Sequence, residues 1–483
     1  MMEGDTGNHG SRSGVLRYLS YITVEPSLIF YMLAFMITNV VEQSFFVYKA
    51  CHVNHGYNKT VCDNINNEDK NITKEVQITV SNFHLWNDIF GHAGQIVLAF
   101  FMGAWSDKRG RKLPLLLGLT GKLYYSLMLV LISTQDNWPV EYIIYIATLP
   151  MSFTGADVAI FAAAFTYLVD ITTPQERTMR VTLLEVGYLA TFPIGIALGS
   201  YLFNNVVNHS YTVMFAINAS SMTLAVLYSL LRLNWRTTPS QKPLSEANNI
   251  FLDFFDYRHV INTIRTICKK RENKRRRILI ILIVMMALYV FQRDERNMMY
   301  LYCQLVFNWT VSQFSNFRTF QSALQDIVLL LAVPVLSRVF GIKDTVIIMI
   351  GAVAHSVGRI FYITADAPLV FYIGGAFAAF GPIVAPVIRS MMSKIILSSE
   401  KGKAFSILAV ADNAVPLVSG VLYSKLYNLT IHTNPTSIFY LTMASQLIVL
   451  LFVLYVSIIY SEPVSDTESE ETQQRCLDQE VEA

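Results

Sequence analysis

The sequence predicts an all-α polytopic membrane protein, with twelve transmembrane helices in two six-helix halves. Three observations carry this. The 483 residues are 53% hydrophobic and only 15% charged, with a mean hydropathy of +0.40, whereas a soluble domain is about 25% charged. Twelve apolar runs, each near the ~20 residues that span a bilayer, fall near 27–49, 84–106, 113–134, 141–169, 181–203, 211–232, 278–302, 317–340, 344–364, 368–392, 403–424 and 436–460. Lys and Arg concentrate in alternate connections: Lys108, Arg109, Arg111 and Lys112; Arg177 and Arg180; Lys269 to Arg277; Arg338 and Lys343; Lys401 and Lys403. The positive-inside rule makes those connections cytosolic, with both termini inside.

In chain order, residues 1–26 form a polar cytosolic segment without the apolar core and cleavage site of a signal peptide, so the first run acts as its own insertion signal. That run starts at Val24-Glu25-Pro26 and carries Asn39, Glu42 and Gln43 in its outer half. A loop of roughly 34 residues follows, rich in Asn and Asp, and reads as glycosylated surface without a core. Sequons headed by Asn58, Asn71, Asn208, Asn308 and Asn428 fall in connections predicted to be outside, where acceptor sites work. Asn218 heads another inside the sixth run, where it is expected to be silent. Cys51, Cys62 and Cys303 lie toward this oxidising side, whereas Cys268 and Cys476 lie toward the cytosol. An odd number leaves the pairing open between Cys62–Cys303, which we favour, and a local Cys51–Cys62 bridge.

The second and third runs are joined by Gly103-Ala104-Trp105-Ser106-Asp107-Lys108-Arg109-Gly110-Arg111-Lys112, which reads G-x-x-x-D-x-x-G-R-K. Asp107 can pair with Arg111 in its own turn and meet the positive N-terminal end of a helix in the other half, near Gly402, as a cytosolic latch. Gly103 and Gly110 would allow close approach and a tight turn. The N-terminal half, 27–232, ends where a polar linker, 233–277, begins. The basic end of that linker, Lys269 to Arg277, serves as a topology anchor or meets anionic lipid. The C-terminal half, 278–460, repeats the turn in degraded form: Pro334, Arg338, Gly341 and Lys343 follow Gly103, Asp107, Gly110 and Lys112 by 231 positions. Parallel repeats of this kind build two-halved transporters. The acidic segment 461–483 lacks periodicity and reads as a solubilising tail.

Ionisable residues inside a bilayer cost several kcal/mol unless they face a cavity or a partner, so each is a functional candidate. The seventh run is interrupted by Gln292-Arg293-Asp294-Glu295-Arg296-Asn297. These charges stand roughly 20 Å from its cytosolic start. Ending the helix at Phe291 would leave too few apolar residues to span, so local unwinding or pairing in several directions is expected. Lys122, Asp157, Glu185, Asp326, His355, Arg359, Arg389 and Asp412 add to the set. We assign Glu185, Asp157 and Asp294 to proton coupling, since carboxylates beside apolar walls take up protons near neutral pH. Arg293, Arg389, Lys122 and Glu42 are assigned to the solute, the cations favouring an organic anion.

G-x-x-x-D-x-x-G-R-K is the signature turn of the major facilitator superfamily. The chain resembles, over nearly its whole length, solute carrier family 46, the group of the proton-coupled folate transporter. The resemblance rests on Val24-Glu25-Pro26, Gly56-Tyr57-Asn58-Lys59-Thr60, Gly103 to Asp107, Arg177-Thr178-Met179-Arg180 with Leu183-Leu184-Glu185, and Pro386-Val387-Ile388-Arg389 with Ser393-Lys394. It implies a major facilitator fold and alternating access. Asp107 and Arg111 then match the gating turn, Glu185 a proton-coupling carboxylate and Arg389 an arginine handling proton and substrate. Cys62 matches a first-loop cysteine bridged to the connection after the seventh helix, and Asn58 a glycosylated asparagine. The chain departs from the folate transporter at Ala156, where that protein has an aspartate that Asp157 displaces by one, and across Val290 to Glu295, where its histidine has no counterpart. Other members of the family resemble carriers of muropeptides, cyclic dinucleotides or conjugated anions.

The expected activity is proton-coupled transport of such an anion in a plasma or lysosomal membrane, by a monomer or weak homo-oligomer. The alternative is a transport-inactive receptor or scaffold on the same fold. No phosphate-binding G-x-x-x-x-G-K-S/T occurs, since Gly121-Lys122 lacks the upstream glycine, and no metal-ligand cluster or nucleophile elbow is evident. An enzyme, a cofactor and a nucleic-acid partner are therefore not expected.

Overall fold

The computed structural model describes residues 22–239, 241–243, 246, 253–255, 275–395, 408 and 412–459. The described residues are helical with connecting turns. The principal helices are α1 Glu25–Lys49, α2 Lys70–Arg109, α3 Lys112–Thr134, α4 Ala156–Ile171, α5 Pro174–Tyr201, α6 Tyr211–Arg232, α7 Arg275–Phe291, α8 Glu295–Phe307, α9 Val311–Ile327, α10 Asp344–Ile363, α11 Pro368–Ala378, α12 Val384–Ile395, α13 Pro416–Thr430 and α14 Ser437–Ile459. Among the described residues nine helices, or ten if one bent helix counts as a single span, are long and apolar enough to cross a membrane. The two remaining runs are also helical where described. The one near 278–302 carries the charge cluster, and the one near 403–424 is described only in part.

Helix starts follow local chemistry. Pro26, Pro174, Pro368 and Pro416 occupy first-turn positions, where a missing N–H costs nothing. Thr310 and Gln313 form a reciprocal capping box at α9. Lipid removes the hydrophobic drive for helix association, so close packing through small residues carries much of it. In the first half a Cβ at Gly199 would overlap the Ile37 carbonyl on α1, and one at Gly195 would sit 2.5 Å from the Met36 Cβ. In the second half Gly358 of α10 and Gly374 of α11 meet backbone to backbone in the same way.

Two expectations change here. The segment between the first two spans is built rather than loop-like. Residues 50–54 continue α1 as a wide turn, Lys59–Asp63 forms a short helix, and α2 starts at Lys70, well before the apolar run begins. Val76, Val80 and Phe83 are buried on its extra turns, so the stretch does have a core face. The disulfide joins Cys51 to Cys62, which corrects the Cys62–Cys303 pairing. The short helix folds back over the end of α1 and brings those two Cα atoms to 5.7 Å, while Cys303 is a buried free thiol inside α8.

Asn58 and Asn71 are exposed at helix starts, open to a glycan. Asn218 is buried and bonded to the Ala34 carbonyl and to Thr38 and Ser126, so it serves packing. Asn428 differs from expectation. It lies within α13 rather than in a connection, and its amide donates to Asn82 at 2.8 Å. Gly402, Lys401, Lys403, the Lys269 to Lys274 part of the basic run, Cys268, Cys476 and the acidic tail lie outside the described residues.

Candidate functional site

The charged candidates assemble into separate nodes, each made by helices that the sequence keeps far apart. In the first half, α1, α3 and α4 converge. Lys122 of α3 is buried, and its ammonium lies 2.7 Å from Asp157 of α4 and 5.4 Å from the Phe35 ring centroid. Tyr31 donates to the other oxygen of Asp157, and Tyr125 donates to Glu42 at 2.5 Å. Glu42 also interacts electrostatically with Lys122. Three of the predicted site residues, Glu42, Lys122 and Asp157, thus form one network of two carboxylates sharing a lysine and two phenols. Gly155 takes a positive φ of 80° immediately before α4, whose first turn carries Asp157.

A second node spans both halves. Arg389 of α12 donates to Asp412 at 3.3 Å, and its side chain keeps 45% exposure. Glu185, an exposed residue of α5, lies within electrostatic reach of Arg389, and Asp412 within reach of Arg293. Arg293 belongs to a 3-10 turn, Gln292–Asp294, between α7 and α8. Tightening to three residues per turn fans the charges out. Arg293 and Arg296 are exposed, while Asp294 and Glu295 are buried in other directions. Asp294 accepts from Ser419 of α13.

Sequence reasoning missed two groups. Glu295 and Arg359 make a dry ion pair at 2.9 Å, with side-chain exposures of 1% and 5%. Thr442 donates to the same carboxylate, and Arg359 also donates to Gln292 at 3.3 Å. Both residues stood in the sequence as embedded charges, but nothing marked them as partners. Asp88 and His92, one turn apart on α2, were not singled out at all. Their signal was available, since both interrupt the apolar run between Leu85 and Trp105.

Taking the signature turn as cytosolic, the outer ends of the halves are stitched together. Gln77 of α2 donates to the Leu301 carbonyl at 2.9 Å and to Gln304 at 3.0 Å, and accepts from Tyr427 at 2.8 Å. Ser81 donates to the Ser424 carbonyl at 3.2 Å. Gln77, Ser81, Gln304 and Tyr427 are all buried. This is an outer seal between α2 on one side and α8 and α13 on the other.

At the opposite end Asp107 pairs with Arg111, as expected, but is 65% exposed. Arg111 also holds Asp170 at the end of α4 at 3.0 Å. Lys112 donates to the carbonyls of Leu230 and Leu233, both at 2.7 Å, and stands over Trp235. The partner expected for Asp107, near Gly402, lies outside the described residues. Gly110 adopts φ of 107°, and a Cβ there would collide with the Trp235 carbonyl. Among the described residues nothing lies within 4 Å of a Cβ at Gly103, so the close packing they show at this turn falls on Gly110; the segment expected to meet Gly103 lies outside them. The degraded copy keeps two features of the turn. Gly341 is also in a positive-φ conformation, and Asp344 pairs with Lys394 at 2.7 Å, the same helix-to-helix bridge as Arg111 to Asp170 with the charges exchanged.

Part of the linker closes over the turn. Asp253 binds Lys108 and, at 2.7 Å, Arg109, while Phe254 packs edge-on against Trp105. Hydrogen bonding to Arg109 and Lys108 holds the Asp253 carboxyl down at about 2.

The family model described as Major Facilitator Superfamily matches residues 26–354. The chain belongs to the major facilitator superfamily. Curated relatives of this major facilitator protein include the probable peptidoglycan muropeptide transporter of Drosophila melanogaster, 24% identical and matched over 86% of this chain and 82% of the relative. Solute carrier family 46 member 2 of Canis lupus familiaris is 27% identical over 73% and 76% of the two chains, and the proton-coupled folate transporter of Bos taurus 23% identical over 75% of each. Among solved structures, a D-xylose-proton symporter superposes with a TM-score of 0.63, at 15% identity and over 92% of this chain and 98% of its own. The human organic anion transporter MFSD10 (TETRAN) gives 0.61 at 13% identity over 89% and 97%. At those identities the superpositions speak to fold alone. This major facilitator protein is a membrane transporter and not an enzyme, and its curated relatives are members of solute carrier family 46.

Proposed function

We propose that the protein is a proton-coupled symporter of an organic anion, working by alternating access between two six-helix halves, 27–232 and 278–460, with both termini in the cytosol. The observation that carries the reading is the node where Glu185 of one half lies within electrostatic reach of Arg389 of the other, which pairs with Asp412, itself within reach of Arg293. An arginine already neutralised by one carboxylate and still half open can exchange that partner for a solute anion, at little net cost in buried charge. The displaced carboxylate then takes up a proton, which couples the two cargoes. Arg293 and Arg389 bind the anion, Lys122 and Glu42 shape the opposite wall, and Glu185, Asp157 and Asp294 hold protons. Relatives whose names describe a proton-coupled folate transporter, a muropeptide transporter and a proton-coupled steroid conjugate and bile acid symporter support this cargo class. The membrane is plasma or lysosomal, and Asn58 and Asn71 carry glycans.

Purified protein in proteoliposomes with an inward proton gradient tests the proposal. Uptake of at least one of a panel of folates, muropeptides, cyclic dinucleotides and steroid conjugates is expected, and collapse of the gradient should abolish accumulation. Binding without movement of any solute would overturn it in favour of a transport-inactive receptor.

A further inference from the structure

Directly below the outer seal the two halves meet through a pair of carboxylates. Asp88 lies seven residues after Ser81 on α2, roughly 10 Å toward the cytosol. Its Oδ2 is packed against α13 at Gly420, so closely that a Cβ there would sit 2.8 Å from it. The preceding residue, Ser419, donates to Asp294. Asp294 is therefore held on the adjoining turn of the same contact, and the two carboxylates interact electrostatically. No hydrogen-bond donor among the described residues reaches Asp88. Asp88 belongs to the first half, while Asp294 and its serine belong to the second. The site forms only when the outer ends are together.

We infer that Asp88 and Asp294 form one proton-binding site across the seam between the halves, and that the proton it holds is what permits the outer seal to close. The inference rests on the symport reading and deepens it. Two carboxylates brought together, Asp294 buried and Asp88 half-buried, resist being ionised at once. As the outer ends approach, one carboxylate takes a proton from the outer solution and its O–H turns to the other, while Ser419 supplies a further donor. No other bond is made or broken. When water on the cytosolic side accepts that proton, two like charges face each other across the seam and drive α2 away from α13 and α8. The sign suits symport: proton binding from outside closes the outer gate, and proton release inside reopens it.

The surrounding charges keep one negative charge on the pair without abolishing the repulsion of two. From its own segment Asp294 faces Arg293 and Arg296, while neighbouring Glu295 is committed to Arg359. On α2 the next turn carries His92, which Lys122 and Arg293 influence. On α13, among the described residues, Ser419 faces Asp294 directly and buried Tyr423 one turn on also interacts with it, while Lys425 is exposed further along.

The test reads the seal itself, without cargo. Asn82 and Asn428 touch across the outer seam at 2.8 Å, so an Asn82→Cys/Asn428→Cys protein can be oxidised from outside in proteoliposomes. Thiolate chemistry alone favours oxidation at high pH, and the proposal requires the reverse, with cross-linking several-fold greater at pH 5.5 than at pH 8. Adding Asp88→Asn should make cross-linking equally high at both values, Asp294→Asn should do the same, and Asp88→Glu should keep the parent's pH response. An unchanged pH response in Asp88→Asn overturns the proposal. If that variant does not reach the membrane, Asp294→Asn decides by the same criterion. Loss of this effect with proton-driven uptake intact removes the site alone, whereas absence of any proton-driven uptake removes the symport reading.

Discussion

Two ion pairs in the C-terminal half have the same chemistry and opposite surroundings. Glu295 and Arg359 are sealed at 1% and 5% exposure, with Thr442 and Gln292 satisfying further lone pairs and protons. Arg389 and Asp412 are longer by 0.4 Å, and the arginine keeps 45% of its side chain open. A sealed pair cannot release its partner without stranding a charge, so it fixes helix geometry. An open pair can trade its partner for a solute. Embedded charge by itself therefore does not mark a transport residue; accessibility of the charged head does.

The comparison breaks most visibly at the sealed pair. Arg359→Ala should leave Glu295 uncompensated and destabilise the protein by about 3–5 kcal/mol, read as lost surface expression and a lower melting temperature in detergent. Removing both partners with Glu295→Gln/Arg359→Met should recover much of that loss. If Arg359→Ala is as stable as wild type, the pair is not structural. Next comes the open pair. Arg389→Ala should leave the melting temperature unchanged while raising KM for the anion about 10- to 100-fold, the range expected for a charge-assisted contact of about 1.5–3 kcal/mol. Unchanged KM would take Arg389 out of the solute site.

A subtler change is expected at the carboxylate facing that arginine. Glu185→Gln should remove the pH dependence of net uptake and leave exchange of preloaded solute near the wild-type rate; a wild-type pH profile would exclude Glu185 from the proton path. The smallest effect belongs to the linker clip. Asp253 is held at about 2, below the ordinary carboxyl value of about 4. Its contribution is thus fully present above the unfolded value and is lost only as pH falls through about 2. The hydrogen-exchange protection factor at residues 253–255, with the intrinsic pH dependence of exchange divided out, should accordingly be flat from pH 5 to 8, and Asp253→Asn should lower it by a factor worth about 1 kcal/mol or less.

Much of the site was legible as a set of residues and little of it as a set of pairs. Glu42, Lys122, Asp157, Glu185, Arg293, Asp294, Arg389 and Asp412 stand out in sequence because charge in an apolar run is expensive wherever the helix turns. Their partners do not stand out, since Tyr31 and Asp157 are 126 residues apart and Gln77 and Tyr427 are 350 apart. Asp88 was passed over because it sits near the start of an apolar run, where a charge reads as an end signal. The extension of α2 outward to Lys70 shows that Asp88 is no helix end but lies well inside the helix. The cysteines have a different cause, the short helix Lys59–Asp63 that brings Cys62 back to Cys51.

Apolar length, alternating basic connections and the paired turns at Gly103–Lys112 and Pro334–Lys343 determined by themselves that this chain is a two-halved helical membrane transporter, since bilayer thickness and the cost of moving charge across it act on local sequence. The tertiary structure alone decided which charges are sealed and which are open, which cysteines meet, and that α2 closes on α8 and α13 through Gln77 and Ser81. Those outcomes depend on how helices hundreds of residues apart rotate against one another, and a rotation of one position, about 100°, turns a buried partner into an exposed one.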